Sequence, residues 1–392
     1  MSNFSYERSV TVIQLHSGSH THLLLTLLSV VGEFPYRLLH LLGSEEVFKK
    51  LVRRLSDKQI IRHTETGKTV YAKLLNVSGK GQYKTIRLHS EAVPVLEWLG
   101  LREYYVQNFC RCNFPSNVYH IERNHRVAEA MAMFLKVGLE IRPYMLPTLA
   151  EELTRKRFSE PTVYPAKIIK TSGTLELSKT AFTRMVAAVF THDECYAVYN
   201  TRSAAMKWSG MGEFKSKQNL IEIARMNGSI NDINSAILFG ASGDTAIETL
   251  EASNRTGRLE YRFDGTYRYV YFFELNSNGI RHLRLFLIPR WKERLLALLF
   301  DERTRSFNNG HFEYDAYVDG AYVLSHFDGD IARLIRFKEA IEHYGYPNEV
   351  LCFPHQVRYV KNYLGSHFTI KVIDIETIEK KFGIGKDKNE SK

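Results

Sequence analysis

The stretch GEFKSK, Gly212 to Lys217, carries Glu213 and Lys215 at Glu-x-Lys spacing, and Asp193 and Glu194 lie some 20 residues earlier. Those types suit metal-dependent phosphodiester hydrolysis. Carboxylates hold a divalent cation that activates water, and a lysine supports the charge developing on the phosphate. Such a site needs Glu-x-Lys on a strand, because residues two apart on a strand point the same way. Here the strand after Asp193 and Glu194 is CYAVYN, whose inward positions hold Ala197, Val198 or Tyr199. Glu213 falls beyond it, after SGMG, where a helix begins, and Asp193 and Glu194 fall in a hairpin turn. A nuclease built on these four residues is the alternative function; the leading reading has no catalytic residues, no cofactor and no bound metal.

Other clusters carry less. His120, Arg123, His125 and Arg126 gather at the start of one helical stretch, with only Glu122 and Glu129 as acidic company. They suit a metal, a phosphate contact or a polar helix end, and a metal site normally wants carboxylates or thiolates at fixed spacing. Cys110 and Cys112 form CRC without a second pair at zinc spacing, and Cys195 and Cys352 stand alone, so all four read as ordinary thiols. FGASGDTAIETLE resembles a strand, a small-residue turn and a helix start. It lacks the lysine of a phosphate-binding loop and the three glycines of a dinucleotide fingerprint. Asn200, Arg202 and Trp208 are close in sequence, which alone does not make a pocket.

Charge is the stronger signal. The chain carries +10 over 392 residues. From Pro35 to Ser90 there are seven Lys and five Arg against three Glu and one Asp, a balance of +8 in 56 residues. Concentration in one segment points to a polyanionic partner. Lys49, Lys50, Arg53 and Arg54 occupy the side of a helix that its apolar stripe of Val47, Phe48, Leu51, Val52 and Leu55 does not use. Lys58 and Arg62 follow it, Lys68 sits at a hairpin tip, and Lys80, Lys84 and Arg87 surround the next turn.

The elements that must position these residues fall into three regions. Residues 1–101 begin with a leucine-rich buried helix, THLLLTLLSVVGEFP, and a short second helix, PYRLLHLLGS. A third helix is capped by Ser44, with Glu45 and Glu46 in its first turn where the positive helix end favours acids. QIIRHT and TVYAKLL then form a hairpin about ETGK, YKTIRLH a further strand, and SEAVPVLEWLG a closing helix. Three helices and a hairpin are the order of a winged helix-turn-helix, whose third helix enters the major groove while the wing meets the neighbouring backbone. Residues 102–160 read as a helical connector. Residues 161–385 alternate strands and helices as an α/β domain, and 386–392 as a disordered polar tail. The fold class expected is therefore α+β to α/β: an N-terminal winged helix, a helical connector and a mixed α/β domain.

Composition agrees with folded domains, at 44% hydrophobic and 12% aromatic residues. The longest apolar run, HLLLTLLSVVG, is shorter than the roughly 18 residues a membrane span needs. MSNFSYERSV has neither the basic start nor the cleavage site of a secretion signal, so a cytoplasmic location is expected.

The helix and hairpin EEVFKKLVRRLSDKQIIRHTETGKTVYAKL, the helix YHIERNHRVAEAMAMF and the hairpin RMVAAVF…CYAVYN, in that order, resemble the replication-relaxation proteins of bacterial plasmids and integrative conjugative elements. The likeness covers about residues 44–210. It implies a winged helix followed by a degenerate restriction-endonuclease-like domain, and double-stranded DNA as partner in replication, conjugative transfer or their regulation on a mobile element. Replication or transfer proteins and a second copy are further partners it allows. Relatives can carry an Asp on the first strand of that hairpin and a Glu on the second, where this chain has Thr183 or Arg184 and Ala197 to Tyr199. That departure favours a scaffold without catalysis. A protein-interaction role is the third reading, for which TYRYVYFFEL and RHLRLFLIPRW offer aromatic surface.

Overall fold

The computed structural model describes residues 12–110, 114, 117–141, 161–171, 183–191, 194–228, 230–254, 259–263, 266–305 and 312–384. It is a mixed α+β structure in two compact units, Met1–Lys136 and Val137–Lys392. The tail at 386–392 lies outside the described residues.

In the first unit, β1 (Val12–Leu15) precedes helix α1 (His20–Val31), whose N-cap Ser19 accepts the His22 N–H. Leu24, Leu25, Leu27 and Leu28 of α1 are fully buried, as leucines on most faces of a helix require. Strand β2 (Glu33–Pro35), a 3₁₀ turn (Tyr36–Leu41) and helix α2 (Glu45–Leu55) follow. Ser44 occupies the N-cap of α2, but its side chain makes no capping bond there. Then come β3 (Gln59–His63), β4 (Thr69–Ala72), β5 (Leu75–Ser78), β6 (Thr85–Leu88), α3 (Val93–Trp98), α4 (Arg102–Tyr105) and α5 (Val118–Lys136).

Two small sheets organise the unit. One has the order β1-β3-β4, with β1 parallel to β3; the other has the order β2-β6-β5, all antiparallel. TVYAKLL, expected as one strand, is split after Ala72. The buried Leu74 sits in the break, where its N–H donates to Leu55 O, and the chain restarts in the second sheet as β5. There are thus two hairpins, β3–β4 and β5–β6. Helix α5, expected in a connector, belongs to the first unit, where its residues 128–134 are buried. The rest of that expected connector from 142 to 160 lies outside the described residues.

The second unit opens with β7 (Glu140–Ile141), β8 (Thr162–Pro165), α6 (Ala166–Thr171), β9 (Met185–Phe190), β10 (Cys195–Arg202), α7 (Met211–Gly228), β11 (Ser235–Gly240), α8 (Gly243–Asn254) and β12 (Tyr269–Glu274). The six strands form one sheet, β12-β11-β10-β9-β8-β7. Next come α9 (Ser277–Phe286), α10 (Trp291–Leu299), β13 (Ala316–Val318), β14 (Ala321–Ser325), α11 (Ile331–Tyr344), β15 (Asn348–Cys352), α12 (Val357–Leu364), β16 (Thr369–Val372) and α13 (Ile375–Lys381). A second sheet runs β13-β14-β15-β16, with its last three strands parallel. The turn between β14 and α11 joins the two sheets: Phe272 N–H donates to Gly329 O at 2.9 Å, and Val270 N–H to the Asp330 carboxylate at 3.0 Å. Among the described residues no helix is long and apolar enough to cross a membrane.

Candidate nucleic-acid interface

Helix α2 divides cleanly. Phe48, Val52 and Leu55 are buried and Leu51 half-buried, whereas Lys49, Lys50, Arg53 and Arg54 are all exposed. At about 100° per residue the four cations span an arc of about 140°, opposite the buried stripe. Val47, expected in that stripe, is exposed beside them. Lys49 pairs with Glu45 and Lys50 with Glu46, each at 2.6 Å one turn apart. The hydrogen bonds from these lysines lower the pKa of both glutamates. Exposed pairs of this kind are weak and open readily to a competing anion.

The β5–β6 hairpin lies against the segment that leads into α2. Tyr36 N–H donates to Lys84 O at 2.8 Å, and the Lys84 ammonium sits 4.0 Å over the Tyr36 ring. Its tip turns through Gly79, at φ +81°, where a Cβ would stand 2.5 Å from Tyr83 O, so only glycine fits. Lys80 is exposed on that tip, while Lys84 is half-buried.

Arg87 is committed elsewhere. It pairs across the ladder with Glu33, and its Nε and terminal nitrogen donate to one oxygen of that buried carboxylate at 3.0 and 2.7 Å. Asn124 from α5 donates to the other oxygen at 2.8 Å. A buried carboxylate held this way ties α5 to the β2-β6-β5 sheet, so Arg87 serves the fold before any phosphate. On the other sheet, Lys58 pairs with Glu91 at 3.4 Å, Arg62 is exposed on β3, and Lys68 is exposed in the β3–β4 turn. Of the four residues at the start of α5, His125 is buried, Arg123 and Arg126 are half-buried and His120 is exposed.

The nuclease set is not assembled. Asp193 lies outside the described residues, and Glu194 is exposed in the turn before β10. Glu213 and Lys215 sit on helix α7 rather than a strand, about 200° apart around its axis. Glu213 is 2% exposed and accepts from the Thr183 hydroxyl at 2.9 Å, the Arg184 N–H at 2.7 Å and the Arg184 guanidinium at 3.3 Å. Its carboxylate fixes the start of α7 to the entry of β9. Among the described residues no three His, Cys, Asp or Glu side chains are placed to hold a metal ion.

A polar centre in the second unit was not singled out from sequence, although HFDGD between a strand and a helix was its signal. Asp330 caps α11, accepting from Ala332 and Arg333 N–H groups as well as from Val270. Asp328 takes Lys292 at 2.5 Å, and Arg333 donates to Asp315 at 2.9 Å. Burial alone would raise the Asp328 pKa, but Lys292 and Arg333 more than offset it and hold the group ionised. Burial, with Asp328 alongside, pushes Asp330 up to about 6. His282 contacts Phe327 O through Nε2 at 2.6 Å, which requires a proton on that nitrogen and leaves Nδ1 to accept from His355 at 3.4 Å. Burial lowers all three neighbouring histidines, His326 and His355 to about 4 and His282 well below its ordinary value. With Asp328 and Asp330 at 2% and 0% exposure, this centre is a closed structural network.

Comparison with protein-family models, curated proteins and solved structures finds no match to this chain.

Proposed function

We propose that the chain is a double-stranded DNA-binding protein acting through the exposed basic face of α2. One observation carries the reading: four cations stand on the solvent side of a helix whose opposite side is buried, so the charge has no role in the core. The order α1, β2, 3₁₀ turn, α2, with a hairpin pairing back onto β2, supports a winged-helix arrangement. In that arrangement the wing is β5–β6 with Lys80 at its tip, rather than the β3–β4 hairpin carrying Lys68. Lys49, Lys50, Arg53 and Arg54 contact phosphates and base edges in the major groove, and Lys80 the adjoining backbone. A role in replication, conjugative transfer or their regulation on a mobile element follows from the resemblance given above, and belongs to the proposal. The second unit then serves partner recognition, for which the exposed rings of Tyr317, Tyr344 and Tyr346 in an aromatic cluster with Phe312 and Tyr322 speak.

Duplex binding by the full chain across a salt series tests the assignment. Replacing Lys49, Lys50, Arg53 and Arg54 by Ala removes up to four phosphate contacts. The slope of log K against log salt should then fall by about 3 to 4 in magnitude, with the fold intact. An unchanged slope and affinity would remove α2 from the interface.

A further inference from the structure

The β1-β3-β4 sheet has a second side that the duplex-binding face does not use. Its inner positions, Ile13, Leu15, Gln59, Ile61, His63 and Ala72, are buried. By strand alternation the residues between them point outward, and no described element covers them. Val12 is 50% exposed and Tyr71 56%, while Gln14, Arg62 and Thr69 are exposed and Ile60 is half-buried. The register sets these in two rows. Val12, Ile60 and Tyr71 are cross-strand neighbours, and Gln14, Arg62 and Thr69 form the adjoining row.

The outer face is therefore an apolar strip ending in an exposed tyrosine, bordered by cations. Arg62 lies within it, and Lys58 and Lys73 continue the same alternation at the ends of β3 and β4. The strands themselves place no acidic side chain on this side. Glu91 stands at the margin, 3.4 Å from Lys58, and accepts the Lys73 N–H at 2.9 Å.

We infer that this sheet face binds single-stranded nucleic acid, with a base stacked on Tyr71 and the backbone tracked by Arg62, Lys58 and Lys73. A duplex offers its bases only as edges within grooves, whereas a single strand exposes the flat faces that an aromatic ring on an open sheet can stack. The apolar neighbours Val12 and Ile60 extend the platform for the adjoining base, and the positive border matches a phosphate chain. A second copy of this chain would bring the same cations against themselves, which disfavours self-association through this face. The inference is independent of the α2 reading, since it uses a different sheet.

The test measures binding of the full chain to fluorescent single-stranded DNA and RNA oligonucleotides of roughly 15 nucleotides, beside a short duplex. Tyr71→Ala should weaken single-strand binding by about ten-fold or more, Tyr71→Phe should restore it, and duplex binding should stay at the parent level. The DNA and RNA arms identify which strand is preferred. Conversely, Arg53→Ala with Arg54→Ala should weaken duplex binding and leave the single strand alone. Unchanged single-strand affinity in Tyr71→Ala, equal loss on single strand and duplex, or a change in sedimentation in its place would each overturn the inference. Loss of the duplex reading alone, with the Tyr71 effect intact, would leave it standing.

Discussion

Glu213 shows at the scale of one residue how an acid at a suggestive spacing can be consumed by the fold. Both its oxygens accept hydrogen bonds from the Thr183–Arg184 segment, which brings α7 and β9 together. Glu213→Gln replaces one accepting oxygen with a donor, facing an N–H or hydroxyl that also donates. Chemical denaturation should therefore show a loss of about 1 to 3 kcal/mol. A catalytic Glu213 predicts the opposite pattern, in which Mg²⁺-dependent cleavage disappears and stability stays unchanged. Arg87 teaches the same lesson for a cation. Its charge counted toward the basic segment, yet Glu33 occupies it.

At the scale of the element, the β5–β6 hairpin depends on Gly79. Its φ of +81° is one that residues with a Cβ rarely adopt, and backbone lies 2.5 Å from where that atom would stand. Gly79→Ala should cost about 1 to 3 kcal/mol and displace Lys80, weakening duplex binding while preserving α2. Gly67→Ala in the β3–β4 turn is the control, because φ there is +66° but nothing lies within 4 Å of the added atom. Its stability loss should be the smaller in thermal unfolding. Equal losses would mean that the contact with Tyr83 O is not what restricts the hairpin.

At the scale of the whole molecule, buried titratable groups make stability depend on pH. Burial lowers His326 and His355 to about 4 from an ordinary 6.5, and lowers His282 well below that ordinary value too. Each contributes stability that is present above pH 6.5 and lost as pH falls toward 4, because the unfolded chain binds the protons that the folded one refuses. Asp330, raised by burial to about 6, works the other way, its neutral form favouring the fold below its pKa. Three histidines outweigh one aspartate. Unfolding near pH 5 should take up about two protons, so stability should fall by on the order of 2 to 3 kcal/mol per pH unit there. Denaturation curves between pH 7 and 4.5 check this, and a flat profile would mean that the histidines titrate normally in the folded chain.

The sequence by itself determined the local elements and the location of the charge. The leucine pattern of α1, the split faces of α2, the α/β alternation after residue 184 and the +8 segment all depend on neighbours a few residues apart, where periodicity and capping act. Only the tertiary structure decided which strands pair and which charges are spent. Nothing local tells that TVYAKLL breaks between two sheets, that β1 runs parallel to β3, or that Glu33 meets Arg87 54 residues away. The same holds for Val12, Ile60 and Tyr71, three residues from separate segments that become one row on the outer face through register alone. Long-range pairing is set by how buried faces find one another across the whole unit, and a polar residue's role follows from the partner it meets there.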